Sequence, residues 1–273
     1  MGPELERRPG TVELDADHPG FRDAGYRERR EAIARLARSW TGGPAPPVEY
    51  TPEEHAVWRV VRARLRELHP RWACREVLRA AERLDLDPDR IPQLEQVNRR
   101  LEPFTGFRMV PVAGLVSPRA FLEHLGRGLF LSTQYVRHER APFYTPEPDV
   151  LHELIGHAAT LADPVIAELS RTIGRAAARS NDERVRALER LYWYTLEFGV
   201  VEERGAPRAL GAGLLSSVHE LERLPAGVEL RPWSLEAVVE TPYDPTGYQP
   251  YLFLAPSFEQ LVGEVLTWVG GSP

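Results

Sequence analysis

Two histidines five residues apart, in a stretch that otherwise reads as helix, constrain this chain more than any other feature. The stretch is Tyr144-Thr-Pro-Glu-Pro-Asp-Val-Leu-His-Glu-Leu-Ile-Gly-His157, and Leu191-Tyr-Trp-Tyr-Thr-Leu-Glu-Phe-Gly199 follows it. Together they supply His152, His157 and the carboxylate of Glu197. Two neutral imidazoles and one carboxylate form the ligand set of non-haem Fe(II) oxygenases, which leave coordination positions open for oxygen. A zinc peptidase needs His-Glu-x-x-His, with its ligands four apart on one helical face. At about 100° per residue, side chains five apart diverge by roughly 140° on a regular α-helix. Both imidazoles reach one metal only if the helix is locally distorted, for instance by a one-residue π-type bulge. Gly156, just before the second histidine, would tolerate such a distortion. A straight helix with the rings pointing apart would exclude a shared metal.

A chain of 273 residues buries a sizeable core, as one large domain or two small ones. Its net charge of −6 argues against a general nucleic-acid-binding role, which favours a basic surface. The single cysteine, Cys74, forms no intramolecular disulfide, so the fold does not depend on an oxidising compartment. The first ten residues carry no apolar signal core, and no run approaches the length needed to span a bilayer. The expectation is a cytoplasmic protein with neither nucleic acid nor membrane as partner. All 34 Lys+Arg residues are arginine, which excludes Schiff-base lysine chemistry.

Residues 1–17 are polar and aperiodic and read as a flexible tail, with residues 18–273 as one domain. Ile33, Leu36, Ala37 and Trp40 give a helical stripe over 27–40. Thr51, Pro52 and Glu54 then supply a cap, a first-turn proline and a capping-box acid. Further helices are expected at 72–84, 92–102, 118–126, 149–161, 164–178 and 182–203, within 211–224, and from a Ser257 cap to 269. Segments 107–114, 129–134 and 251–254 read as short strands or extended loops, and 223–250 as a long ordered loop. The fold class is therefore mostly α with small β elements.

Several motifs resemble the catalytic core of the pterin-dependent aromatic amino acid hydroxylases. They are Thr145-Pro-Glu-Pro-Asp149, His152-Glu-Leu-Ile-Gly-His157, Tyr192-Trp-Tyr-Thr-Leu-Glu-Phe-Gly199 and Gly211-Ala-Gly-Leu-Leu-Ser-Ser217. Pro111-Val-Ala-Gly-Leu115, Ser132-Thr-Gln-Tyr-Val-Arg-His138 and His18-Pro-Gly-Phe21 fit the same family, so the resemblance runs from about Asp17 to Trp268. It implies that His152, His157 and Glu197 bind Fe(II), and that the cofactor is a tetrahydropterin, tetrahydrobiopterin or a bacterial equivalent. In this family the pterin and O2 react at iron, and the oxidant formed attacks the ring of the amino acid. The cofactors carry the hard chemistry while the protein binds and orients them.

The resemblance also distributes roles. Gly114, Leu115 and Val116 form the loop whose backbone would bond the pterin edge, Phe121 would stack on its ring, and Glu153 would face it. Arg137 would clamp the substrate carboxylate by a bidentate pair, oriented by Asp149. Thr145, Gly213 and Ser216 would line the polar end of the amino acid, while Pro148, Trp193 and the ring of His152 would sandwich its aromatic side chain. A bulky tryptophan at 193 leaves room for a benzene ring and favours phenylalanine, whereas Phe143 resembles the tryptophan-hydroxylase pattern. Pro245 stands near where tyrosine hydroxylases carry an acid, which makes tyrosine the weakest candidate.

Leu131 and Pro118 depart from the family, replacing polar residues on the pterin side, and such changes shift near-attack geometry. The expected reaction is para hydroxylation of L-phenylalanine by O2. Tryptophan 5-hydroxylation and meta hydroxylation of phenylalanine stand as alternatives with the same mechanism. A zinc hydrolase is the rival class, opposed by the five-residue spacing. The short bacterial form of the family, a monomer served by a separate pterin-recycling enzyme, is the form expected.

Overall fold

Capping chemistry fixes where most of the helices begin. The computed structural model describes residues 18–145, 147–245 and 247–271, so the expected tail at 1–17 lies outside the described residues. Helices α1 (Pro19–Arg22) and α2 (Ala24–Ser39) start from the side-chain caps His18 and Asp23. Helix α3 (Pro52–Trp72) starts from the full Thr51–Glu54 capping box expected from the sequence. It buries Val57, Trp58, Val61, Leu65 and Leu68. Helices α4 (Arg75–Leu84) and α5 (Leu94–Thr105) follow, then strand β1 (Arg108–Pro111), α6 (Pro118–Gly126) and β2 (Leu129–Ser132). Strands β1 and β2 pair in parallel, Met109 opposite Phe130. The loop after β1 and the helix α6 thereby share one side of the central cavity.

A π-helical segment, His152–Ala158, runs into α7 (Ala159–Leu161), and Asp163 caps α8 (Pro164–Ala177). Helices α6 and α8 cross where Gly126 meets Gly174. A Cβ on Gly174 would stand 2.2 Å from the Gly126 nitrogen, so only glycine permits the approach. Helix α9 (Asp182–Tyr192) leads into a second π-helical segment, Trp193–Glu197. The sequence reading carried this helix on to residue 203. It ends instead where Phe198 N–H closes back on Trp193 O at 2.7 Å, and Val200–Glu203 forms strand β3. The β-branched pair Val200-Val201 suits a buried strand better than a helix.

Strand β4 (Ala206–Ala209), helices α10 (Ala212–Leu215) and α11 (Val218–Arg223), strand β5 (Glu229–Pro232), helix α12 (Leu235–Glu240), strand β6 (Tyr251–Ala255) and helix α13 (Phe258–Gly270) complete the chain. Segment 223–250 is therefore not one long loop: it holds β5 and α12. Strand β5 finds its partner only in β6, across residues Leu230 and Leu252, and that pairing is invisible locally. The second sheet has the order β4-β3-β6-β5, with β3–β4 antiparallel and the other pairs parallel. One large apolar cluster joins α3, α4, α8, α9 and the inner face of this sheet. The architecture is mostly helical with small β elements, as the sequence indicated. Among the described residues no helix is long and apolar enough to cross a membrane.

Candidate active site

Bonding from residue i to i+5 brings side chains five apart onto the same side of a helix. The π-helical segment from His152 does this for the two histidines, whose Nε2 atoms lie 3.0 Å apart. The distortion expected from the spacing is present, and Gly156 lies within it. A second demand falls on the same residue, because a Cβ would meet Ala212 O at 2.7 Å and Ala212 Cβ at 2.9 Å. Glycine at 156 lets α10 pack directly on the π segment.

The second π segment delivers Glu197 to the same point. Its Oε1 is 3.3 Å from His152 Nε2 and its Oε2 3.0 Å from His157 Nε2. Among the described residues, this is the cluster whose geometry can hold a metal ion, with its donor atoms all within 4.8 Å of one another. Two nitrogens bonded at right angles to one metal, with bonds of about 2.1 Å, stand about 3.0 Å apart, against about 3.4 Å for a tetrahedral pair. The observed imidazole separation is short enough for both nitrogens to bond one ion.

Hydrogen bonds behind the imidazoles prepare them for this role. Ser216 donates its hydroxyl hydrogen to Ala212 O at 2.8 Å, so its oxygen accepts from His152 Nδ1–H at 2.9 Å. That assignment leaves the lone pair of His152 on Nε2, facing the other donors. His157 Nδ1 lies 3.3 Å from the Tyr192 hydroxyl, which gives the second ring a partner behind the metal face. Burial pushes His152 down to about 4, which keeps the ring neutral. Burial acts to raise Glu197, but the facing imidazoles of His157 and His152 outweigh it and leave the carboxyl lowered.

These three residues open into a cavity of about 550 Å³, within the range of small-molecule and cofactor sites. Its wall brings together every site residue singled out from the sequence except Asp149. On one side lie Gly114, Leu115, Val116 and Phe121, joined by the two departures Pro118 and Leu131. Phe121 is held edge-on by Phe130 and Tyr192, with centroids 5.5 and 5.3 Å away. Glu153 stands between this side and the metal ligands. Thr133 donates to its Oε1 from both backbone (3.1 Å) and hydroxyl (2.9 Å). Burial raises the Glu153 carboxyl well above its ordinary range, against those two bonds.

On the other side lie Thr145, Pro148, Trp193, Gly213 and Ser216, with Arg137 behind them. Asp149 sits beneath the cavity, fully buried, and occupies one edge of the guanidinium: Arg137 Nε reaches Oδ2 at 3.0 Å and Nη2 reaches Oδ1 at 2.7 Å. Arg137 N–H adds a third bond to Asp149 Oδ2 at 2.8 Å. Asp149 leaves the edge formed by Nη1 and Nη2, where Nη1 donates to Pro142 O at 3.2 Å and to Ser216 O at 3.4 Å. Buried and paired this way, the cation is held in one orientation.

Several functional positions escaped the sequence reading. Tyr192 and Thr133 lie inside quoted motifs, yet nothing in their spacing says that they back His157 and Glu153. Tyr243 stacks on Trp193 at 4.0 Å with rings 12° apart, from a segment without periodicity. Phe143, the residue pointing towards tryptophan as substrate, packs against His219 and is not part of the cavity wall.

Such a triad beside such a cavity defines a mononuclear metal site built to act on a small molecule. Residues 9–270 match the biopterin-dependent aromatic amino acid hydroxylase family, and the chain belongs to that family. It is 46% identical over 252 residues to tyrosine 3-monooxygenase of Bos taurus, covering 90% of this chain and 51% of that protein. It is 44% identical over 263 residues to phenylalanine-4-hydroxylase of Caenorhabditis elegans, covering 94% and 58%. The chain thus spans little more than half the length of these curated relatives. Among solved structures, Chromobacterium violaceum phenylalanine hydroxylase with bound iron(III) and 7,8-dihydrobiopterin superposes with a TM-score of 0.77. The identity is 32%, covering 87% of this chain and 90% of that one.

Proposed function

We propose that this protein is an Fe(II)- and tetrahydropterin-dependent monooxygenase that converts L-phenylalanine to L-tyrosine by para hydroxylation. The observation that carries this reading is the cluster of His152, His157 and Glu197 opening into a cavity between a pterin-type wall and a buried Arg137–Asp149 pair. Iron and pterin, when bound, would supply O2 activation and two electrons, so that one oxygen atom enters the ring and the other leaves as the hydroxyl of the spent pterin.

The chain's own residues bind, orient and exclude. His152, His157 and Glu197 hold the metal, with Ser216 fixing the tautomer of His152. The backbone of Gly114, Leu115 and Val116 meets the edge of the pterin, Phe121 covers its face, and Glu153 presents Oε2 while Thr133 holds Oε1. Arg137 takes the amino acid carboxylate at Nη2 and, by giving up a carbonyl bond, at Nη1, and Asp149 prevents that guanidinium from turning away. Thr145, Gly213 and Ser216 line the polar end of the substrate. Pro148, Trp193 and the His152 ring flank its aromatic side chain, so that one ring carbon is held towards the metal face.

The choice of phenylalanine rests on the cavity wall. The bulky Trp193 narrows it, Phe143 stays out of it, and Pro245 offers no acid to meet a phenol. Meta attack is the second reading: Leu131 and Pro118 line the pterin side of the wall, and a shift of the cofactor there would change which ring carbon faces the metal. The spent hydroxypterin calls for a separate recycling enzyme.

The test is an assay with Fe(II), tetrahydrobiopterin and O2, offering phenylalanine, tryptophan and tyrosine separately and resolving products against standards. Para-tyrosine is the expected product. Meta-tyrosine or 5-hydroxytryptophan would reassign the pocket, and no product, with His152→Ala indistinguishable from the parent, would refute the oxygenase reading.

A further inference from the structure

Trp193 forms the wall that decides how large an aromatic ring the cavity accepts, and a stacked indole alone is a poorly fixed wall. Its stack on Tyr243 leaves the ring free to slide and turn in its own plane, since offset stacking is tolerant of such motion. The indole N–H removes that freedom by donating to Gln249 Oε1 at 3.1 Å. Gln249 is buried, 2% exposed, and every polar atom it has is engaged. Its Nε2 donates to Asp244 O at 3.1 Å and to Gly247 O at 3.2 Å. Its backbone N–H donates to Glu220 Oε1 at 3.0 Å, and its carbonyl accepts from Arg223 Nη2 at 3.3 Å. Arg223 in turn binds Glu220 Oε2 at 2.9 Å.

These bonds fix the sense of the amide. Two carbonyls face the NH2 end, and a flipped amide would set oxygen against oxygen on one side and N–H against N–H on the other. They also tie together two parts of the cavity wall. Pro245 and Gly247, beside the carbonyls that Nε2 holds, line the same cavity as Trp193. The second π segment ends at Glu197, so the same short stretch carries both the size-selecting indole and a metal ligand.

We propose that Gln249 is a positioning residue for substrate choice. It locks the plane of the Trp193 indole to the 244–247 segment, so that the wall cannot retreat to admit a second indole. The proposal rests on reading the cavity as an aromatic amino acid site. Gln249 acts through Trp193 and touches no reacting atom, so its loss falls on discrimination more than on turnover of the preferred ring.

The test compares Gln249→Met, near-isosteric but unable to hydrogen-bond, with the parent, and repeats the pair in a Trp193→Phe background. Dissociation constants for phenylalanine and tryptophan are measured by calorimetry on the Fe(II)-loaded protein without oxygen, and kcat/KM for both with tetrahydropterin. The expected result is a fall of about tenfold in the phenylalanine-over-tryptophan ratio in the Trp193 background, the scale of one pocket contact. With Trp193→Phe, which has no indole N–H to hold, Gln249→Met shifts the ratio by less than about twofold.

A merely structural role would weaken both amino acids alike and leave the ratio in place, or shift it equally in both backgrounds, and either result overturns the proposal. If Gln249→Met does not fold, Gln249→Asn keeps a buried amide but is one methylene too short to span both partners, and it carries the same expectation. A parent that binds neither amino acid would overturn the hydroxylase reading and this proposal together. A parent that discriminates normally while the variants do too overturns this proposal alone.

Discussion

Replacing Ser216 by alanine removes one oxygen from behind the metal face and leaves the His152 ring without its partner. In the parent, Ser216 Oγ accepts from His152 Nδ1 at 2.9 Å and donates to Ala212 O at 2.8 Å, and the second bond dictates the first. Without the oxygen, a buried imidazole N–H loses its acceptor, which costs about 1–3 kcal/mol. The ring regains that energy in part by taking the other tautomer or by turning, and both withdraw the Nε2 lone pair from the metal. Outer partners of metal-bound histidines contribute roughly 10–100-fold to metal affinity, or about 1.4–2.7 kcal/mol, which agrees with the hydrogen-bond figure. The expected outcome is Fe(II) or Co(II) affinity weakened by about 10–100-fold, measured by anaerobic calorimetry with amino acid and pterin absent. Leaving the substrates out separates this effect from any contact of Ser216 with the amino acid. Metal affinity within about twofold of the parent would refute the tautomer argument, because the bond would then be dispensable.

Three further outcomes follow from the same geometry. Gly156→Ala places a methyl 2.7 Å from Ala212 O, the anchor of Ser216, so stability should fall by about 1–3 kcal/mol in urea unfolding, with weaker metal binding; an unchanged midpoint would show that α10 can yield. Asp149→Asn leaves the buried Arg137 charge with half its partner, so about 3 kcal/mol of stability and at least about tenfold in KM for phenylalanine should be lost; a change in neither would remove Arg137 from substrate binding. Burial pushes His69 down to about 4, against its bond to Leu215 O. The folded state therefore resists a proton that the unfolded state accepts below about 6.5, and stability falls as pH drops from there towards 4, by up to about 3 kcal/mol. A His69→Gln variant whose stability follows pH as the parent's does would show that other groups carry the effect.

Much of the site was legible because its signal is local. The five-residue spacing of His152 and His157 requires either a distorted helix or no shared metal, and the π segment supplies the distortion. Glu197, Arg137 and the Gly114–Val116 loop were found through motifs, and the cavity wall brings them together. Helix starts at Thr51, Asp163 and Ser257 were legible because a cap acts within one turn. The strand Val200–Glu203 was read as helix although its hairpin partner Ala206–Ala209 follows at once, because the pairing with Leu254–Ala255 that places it inside the sheet comes from some fifty residues further along.

What the sequence determined by itself is therefore the chemistry on offer: a neutral two-imidazole, one-carboxylate set, a buried cation with its acid, and a mostly helical frame to hold them. Tertiary structure alone decided how that chemistry is aimed. Gly156 must stay glycine where Ala212 arrives against it, a demand that no local pattern announces. Arg137 keeps one orientation because Asp149 holds its Nε–Nη2 edge. Trp193 is a fixed wall because Tyr243 and Gln249 reach it from a segment some fifty residues further along the chain. Periodicity and capping report forces that act within a few residues of chain, whereas orientation in a cavity depends on which distant surfaces pack together.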